Sequence, residues 1–161
     1  MAAETLSTTR AASTFPVPEN SFAGVLQVHW GSYDVAAQLE DGDIFEMHYL
    51  PDGATVHDGL LVADDIDTGT ETLDGDVGWA ANETDVADPD GFGNMGVWTG
   101  DAVTGYKPEV GTRLPFGNAL FAGPKTFSEG GGKTMIQVEF NVAAATFAAG
   151  DLTVQTFYSS K

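Results

Sequence analysis

Residues Asp43 to Trp79, DIFEMHYLPDGATVHDGLLVADDIDTGTETLDGDVGW, decide the fold. The stretch reads as three β-strands in a row. Asp43 to Leu50 alternates, with Phe45, Met47 and Tyr49 on one face and Glu46 and His48 on the other. Leu50-Pro51-Asp52-Gly53 is a turn, because proline presets φ at its second position and glycine closes the fourth. Ala54 to Ala63 is the second strand, with Val56, Leu60 and Val62 on one side. Asp64 to Gly69 connects it to the third, Thr72 to Trp79. There Leu73, Val77 and Trp79 face in, and Thr72, Asp74 and Asp76 face out. Short polar connections between alternating runs favour antiparallel neighbours with one wet face.

Outward from this block the same pattern recurs. Phe22 to Trp30 is a strand with Phe22, Leu26, Val28 and Trp30 sharing the inner face and Gln27 and His29 the outer. Gly31-Ser32-Tyr33-Asp34 reads as a turn. Lys133 to Phe140 alternates with Ile136, Val138 and Phe140 inward, and Leu152 to Tyr158 is the last strand. Residues 80–116 are weakly periodic and glycine-rich. They read as a long irregular excursion with a short helix near Phe92 to Ala102. Long excursions of this kind are functional or mobile. Residues 1–21 are polar and small up to Thr14, then read Phe15-Pro16-Val17-Pro18. Two prolines at alternate positions impose an extended path and remove two ladder donors. The expected fold is all-β: one antiparallel β-sandwich over residues 22–161, jelly-roll-like, with an extended N-terminal arm over residues 1–21. Phe15, Pro16, Val17 and Pro18 are the arm residues expected to dock on a partner.

Charge is the strongest compositional signal. Six Lys+Arg stand against 24 Asp+Glu in 161 residues, a formal net charge of −18. Such a surface repels nucleic acid, whose binding needs cations that displace counterions. It also repels anionic membranes, and no apolar run approaches the roughly 20 residues of a membrane span. A basic or mainly apolar partner surface is expected. Adaptation to a salty medium gives the same composition, since salt screens self-repulsion beyond about 8 Å. The chain has no cysteine, so a disulfide framework and a thiolate metal site are both excluded. The N-terminus has no apolar core of a signal peptide, and none is expected.

Chemistry-bearing constellations are sparse. Asp88-Pro89-Asp90-Gly91-Phe92-Gly93-Asn94 spaces oxygen ligands in a way that suits Ca²⁺, but it lacks the bidentate glutamate of an EF-hand loop. Asp64, Asp65 and Asp67 form a second cluster, whose residues read as turn aspartates that satisfy local backbone. The three histidines, His29, His48 and His57, lack the His-x-His spacing of a cupin metal site and read as half-exposed strand residues. No cofactor or metal is expected. There is no Gly-x-Ser-x-Gly elbow and no phosphate-binding glycine loop. Trp98 and Tyr106, in the irregular region, are the candidate exposed aromatic contacts and would carry a sugar-stacking platform. Trp79 reads as core. An acidic glycosidase ranks last, because no pair of carboxylates stands out.

Two segments carry a family resemblance. Asp34-Val35-Ala36-Ala37 through Gly42-Asp43-Ile44 to Leu50-Pro51-Asp52-Gly53-Ala54-Thr55-Val56 resembles small structural proteins of tailed bacteriophages. So does Asp64-Asp65-Ile66-Asp67-Thr68-Gly69 followed by Leu73-Asp74-Gly75-Asp76-Val77-Gly78. These relatives are capsid decoration (cement) proteins and related virion proteins. The likeness spans roughly Ser21 to Gly78, with the end-strand pattern of Gly150 to Phe157. It implies a sandwich on the outer capsid surface, made in the host cytoplasm and bound to the major capsid protein. It also implies a homo-oligomer, with a trimer favoured, and terminal arms that clamp the shell. It brings no catalytic residues. The acidity and the 80–116 region depart from the family pattern. A carbohydrate-binding module and a head-completion or tail protein are the alternatives.

Overall fold

A computed structural model describes residues 4–8, 11, 25–70, 72–97, 112–115 and 124–160, with backbone alone at 94–97 and 112–115. The strands are β1 (Thr5–Ser7), β2 (Gln27–Val35), β3 (Ile44–Leu50), β4 (Thr55–Ala63), β5 (Asp74–Trp79), β6 (Asp88–Val97), β7 (Thr112–Pro115), β8 (Lys125–Thr126), β9 (Thr134–Val142) and β10 (Gly150–Ser159). They form two sheets, β1-β3-β9-β5-β6 and β2-β10-β4-β7, with β8 pairing β4. Apart from β1 with β3, which is parallel, the pairings are antiparallel. With the short β1 and β8 set aside, the remaining strands follow jelly-roll order, each crossing to the other sheet except at the β5–β6 pair, which stays in one sheet. The expected all-β sandwich is the fold observed. Among the described residues no helix is long and apolar enough to cross a membrane.

The core lies between the sheets. Phe45, Phe140, Val138, Ile136, Val154 and Leu152 are fully buried there. The Phe45 ring meets Tyr33 and Phe140 edge-on at 5.1 and 5.5 Å, a geometry that suits the aromatic quadrupole. At the other end Trp79 packs edge-on against Phe92 at 4.9 Å and Phe127 at 5.3 Å. Its indole N–H donates to the Val86 carbonyl at 3.0 Å. Trp79 is therefore core, as its alternation predicted.

Two β-bulges correct the expected faces. In β3 the register skips Met47 between Glu46 and His48, so parity reverses. His48 and Leu50 turn inward with no exposure, and Tyr49 becomes half-exposed. In β4 the register skips His57 opposite Phe157 and Tyr158. Leu61 and Ala63 are therefore buried, while Leu60 and Val62, expected inside, sit half-exposed on the outer face.

Three further expectations change. Gly31 to Asp34 is no turn but the middle of β2. The expected helix near Phe92 gives way to β6, which pairs with β5 as far as Val97. Its alternation is hidden by two register shifts and by glycines that allow close packing; a Cβ on Gly91 would fall 2.2 Å from the Trp79 ring. Thr5–Ser7, read as part of an arm, is instead a strand of the chain's own first sheet. It is held by Ile44 N–H to Glu4 carbonyl at 2.8 Å and Thr8 N–H to Glu46 carbonyl at 2.9 Å. Pro115 ends the edge strand β7, opposite Leu60 of β4; strand ends at sheet edges are where proline is tolerated.

Candidate functional site

Strand β2 carries the most unusual surface. The sequence predicts Leu26, Val28 and Trp30 inside and His29 outside, and the structure inverts this. Val25 is 51% exposed, Leu26 59%, Val28 47% and Trp30 45%, whereas His29 is 2% exposed. The cause is the close approach of β2 to β3. A Cβ on Gly31 would stand 2.0 Å from the Met47 carbonyl oxygen, so the inward position admits only glycine. His29 turns inward beside it and donates Nδ1–H to the Tyr49 carbonyl at 3.0 Å. The bulky apolar residues of β2 are left on the outer face.

That face continues across the second sheet. Val28 lies opposite Phe157 and Trp30 opposite Gln155 in the β2–β10 register. Gln155 in turn lies opposite Leu60, and Thr153 opposite Val62. Phe157, Leu60 and Val62 are half-buried. The result is an apolar stripe that starts at an edge strand and crosses three strands. Exposed apolar patches and flat edge strands of this kind mark association surfaces.

Behind the stripe lies a polar cluster in the core. The rings of His29 and His48 come from opposite sheets, with centroids 5.0 Å apart and planes tilted by 53°. His48 Nε2 lies 3.1 Å from the hydroxyl of Thr156. His48 and Thr156 have no exposure. The expectation of half-exposed histidines therefore holds only for His57, which is exposed and lies 2.9 Å from the Ser159 hydroxyl.

The acidic clusters divide into two kinds. Asp67 is 3% exposed and works as a backbone clamp. Its Oδ2 accepts the N–H groups of Thr72 and Leu73 at 2.7 and 2.9 Å, and its Oδ1 accepts that of Thr146 at 2.9 Å. Asp64 accepts Asp151 N–H at 2.9 Å. Only the Asp67 bonds to Thr72 and Leu73 are the local turn chemistry that the sequence suggested; the bonds to Thr146 and Asp151 join segments distant in the chain. The second kind lies on β5, β6 and β9. Asp76 is 7% exposed and sits opposite Glu139 in register. Asn141 donates to its Oδ2 at 2.6 Å. Burial, then the charges of Asp74, Asp90 and Glu139, push the Asp76 carboxyl above its usual range against the Asn141 bond. Burial pushes Asp74 up as well. Asp88 is raised by burial and by neighbouring Asp90. Among the described residues no three His, Asp or Glu side chains group to hold a metal ion.

Phe15, Pro16, Val17, Pro18, Trp98 and Tyr106, the site residues read from the sequence, lie outside the described residues. An open hollow of about 520 Å³ is lined by Tyr49, Ala81, Asn82, Glu83 and Gly131 to Lys133. Tyr49 is its one aromatic, which is no stacking platform. The exposed β2 stripe was missed because its residues alternate as an inward face would. The signal available was Gly31, a glycine in the middle of an otherwise regular apolar alternation, where backbones approach closely.

The architecture places the chain in a class of two-sheet jelly-roll folds, and comparison shows where that fold recurs. No family model matches the chain, and no curated protein matches it. A chain in the capsid of Ralstonia phage GP4 superposes with a TM-score of 0.74 at 21% identity, covering 98% of this chain and 99% of that one. A chain of the cyanophage Pam1 capsid asymmetric unit gives a TM-score of 0.63 at 23% identity, covering 96% and 98%. A chain in the acidic stable capsid of Helicobacter pylori bacteriophage KHP30 gives 0.58 at 13% identity, covering 86% and 90%. At these identities the likeness is one of fold.

Proposed function

We propose that this chain is a structural protein of a phage virion, a decoration protein that binds the outer surface of the major capsid protein and stabilises the head. The observation that carries the reading is the end-to-end match to a capsid chain, 98% of this chain against 99% of that one. The exposed β2 stripe supports the reading, because it gives an acidic molecule one apolar surface on which a shell can seat. A regular shell repeats the contact many times, so modest affinity at each site suffices.

In this reading Phe15-Pro16-Val17-Pro18 continues from the β1 segment as an extended arm to a neighbouring subunit, and three copies cluster around a local three-fold position. The surface carries no catalysis, no nucleic acid and no membrane contact. The test is co-sedimentation with emptied, expanded heads. Val28→Ser together with Trp30→Ser should weaken attachment at least tenfold while the urea midpoint stays within that of the parent. Undiminished attachment of that variant would overturn the role of β2. A parent protein that fails to sediment with heads would overturn the decoration reading itself.

A further inference from the structure

Among the described residues β6 is the last strand of the first sheet, and its one neighbour is β5. The seam between them is lined with acid. The register sets Asp74 opposite Val97, Asp76 opposite Asn94 and Trp79 opposite Asp88. Between the last two pairs β6 bulges, so that Gly78 stands against Pro89 to Phe92. The bulge folds over β5: a Cβ on Gly78 would fall 2.0 Å from the Asp88 carbonyl oxygen and 2.4 Å from Pro89. Asp76 shares that outer face with Gly78, because Val77 and Trp79 turn inward beside Val138 and Ile136. Asp76 Oδ2 accepts from Asn141 at 2.6 Å, but its Oδ1 is buried with no hydrogen-bond partner. Asp74 Oδ1 is buried and unpartnered in the same way. Asp90 on the bulge and Glu139 on β9 add their charges to that of Asp76. Lys125 of β8 reaches only Asp88 of this group, and it is shared with Asp85 at 3.9 Å.

We infer that this seam is an acid-tightened edge: charged at neutral pH, its aspartates hold β6 loosely against β5, and proton uptake in mild acid draws the strand down. The seam belongs to the first sheet and the β2 stripe to the second, so the inference does not depend on how the stripe is used. A buried carboxylate oxygen with neither donor nor counter-ion is costly, and protonation removes that cost. Local opening of an edge strand returns the same oxygens to water, so the charges favour the open state and the protons the closed one. The shifts agree in sign. Burial raises Asp74 above the usual carboxylate range. Burial first, then the Asp74, Asp90 and Glu139 charges, raise Asp76 against the Asn141 bond. Burial first, then Asp90, raise Asp88 against Lys125. The closed seam therefore binds protons more tightly than the opened one. Its stability is lowest above the raised values and grows as pH falls through them towards the ordinary aspartate value of about 3.9.

The experiment is amide hydrogen exchange of the full chain, read by NMR at pH 7 and pH 5 and expressed as protection factors. In the parent, protection of the β6 N–H groups should rise about threefold or more on acidification, the factor that half a unit of elevation on one carboxyl is worth. The N–H groups of β10, which is paired with both β2 and β4, should change less. Asp74→Asn with Asp76→Asn removes both charges, and it should show the acid level of β6 protection already at pH 7 with little further rise. Should that variant not fold, Asp90→Asn on the bulge takes its place and should raise β6 protection at pH 7 in part. Flat β6 protection in the parent overturns the inference. A rise matched by β10 also overturns it, because that is general relief of the net charge. A parent level of β6 protection at pH 7 in the asparagine variant measured overturns it too. Millimolar calcium at pH 7 should leave β6 unchanged; a gain equal to that in acid would make the aspartates a cation site and overturn the proton reading.

Discussion

Replacing Asp67 tests whether the acidic turn after β4 is a clamp or a ligand site. Its carboxylate, 3% exposed, receives three backbone N–H groups at 2.7 to 2.9 Å. It joins the chain before β5 to the connection between β9 and β10, where Asp67 also bridges Phe147. Asp67→Ala leaves all three donors without it. Leu73 has no exposure, so its N–H stays unsatisfied, at a cost of about 1–3 kcal/mol. Thr72 and Thr146 are exposed and recover water, losing about 0.5–1.5 kcal/mol each. The sum is about 2–6 kcal/mol. Asp67→Asn keeps an oxygen for Thr72 and Leu73 and turns its amide towards Thr146, so about 1–2 kcal/mol is expected. Urea denaturation reads both values directly. An alanine cost below about 1 kcal/mol, or equal costs for the two variants, would refute the clamp. So would stability that falls on chelating divalent ions in the parent but not in Asp67→Asn.

Other expectations follow from single observations. Gly31→Ala drives a methyl into the Met47 carbonyl and should cost about 1–3 kcal/mol or more by urea midpoint; a neutral effect would mean β2 and β3 lie farther apart. Phe45→Ala removes a fully buried ring between Tyr33 and Phe140 and should cost about 3–5 kcal/mol, with a value under about 1 kcal/mol placing Phe45 outside the core. Asp76 is raised by burial and by three neighbouring carboxylates, so the folded state binds its proton more readily than the unfolded chain. Its charge therefore costs stability at neutral pH, and the cost disappears as pH falls through the folded value. Asp76→Asn should raise Tm at pH 7 and narrow its lead towards pH 4; a lower Tm at pH 7 would contradict the burial.

The fold class was legible because period-2 alternation and turn chemistry act locally. Leu73, Val77 and Trp79 sit inside as read, and Leu50 to Gly53 closes a turn with Ala54 N–H on the Pro51 carbonyl at 3.2 Å. What failed depended on contacts between distant segments. The bulges at Met47 and His57 reverse parity within a strand, and no local residue type announces them. The inversion of β2 depends on how closely β3 passes, a property of sandwich closure. β6 was hidden because its glycines serve packing against Trp79, while glycine in sequence reads as turn. Of the candidate site, Val28 and Trp30 were seen as apolar but placed on the wrong side, and the pairing of His29 with His48 joins residues from different sheets. Asp67 was read correctly as a turn residue as far as its bonds to Thr72 and Leu73 go, while its bond to Thr146 from the β9–β10 connection had no local signal.

The most direct test of the decoration reading is a cryo-EM reconstruction of virions that contain this chain. The account predicts a two-sheet sandwich on the outside of the head, with the Val28 and Trp30 face of β2 turned towards the shell and copies clustered about a local symmetry axis. A sandwich confined to the tail or the portal end, or one whose β2 face points to solvent, would contradict it.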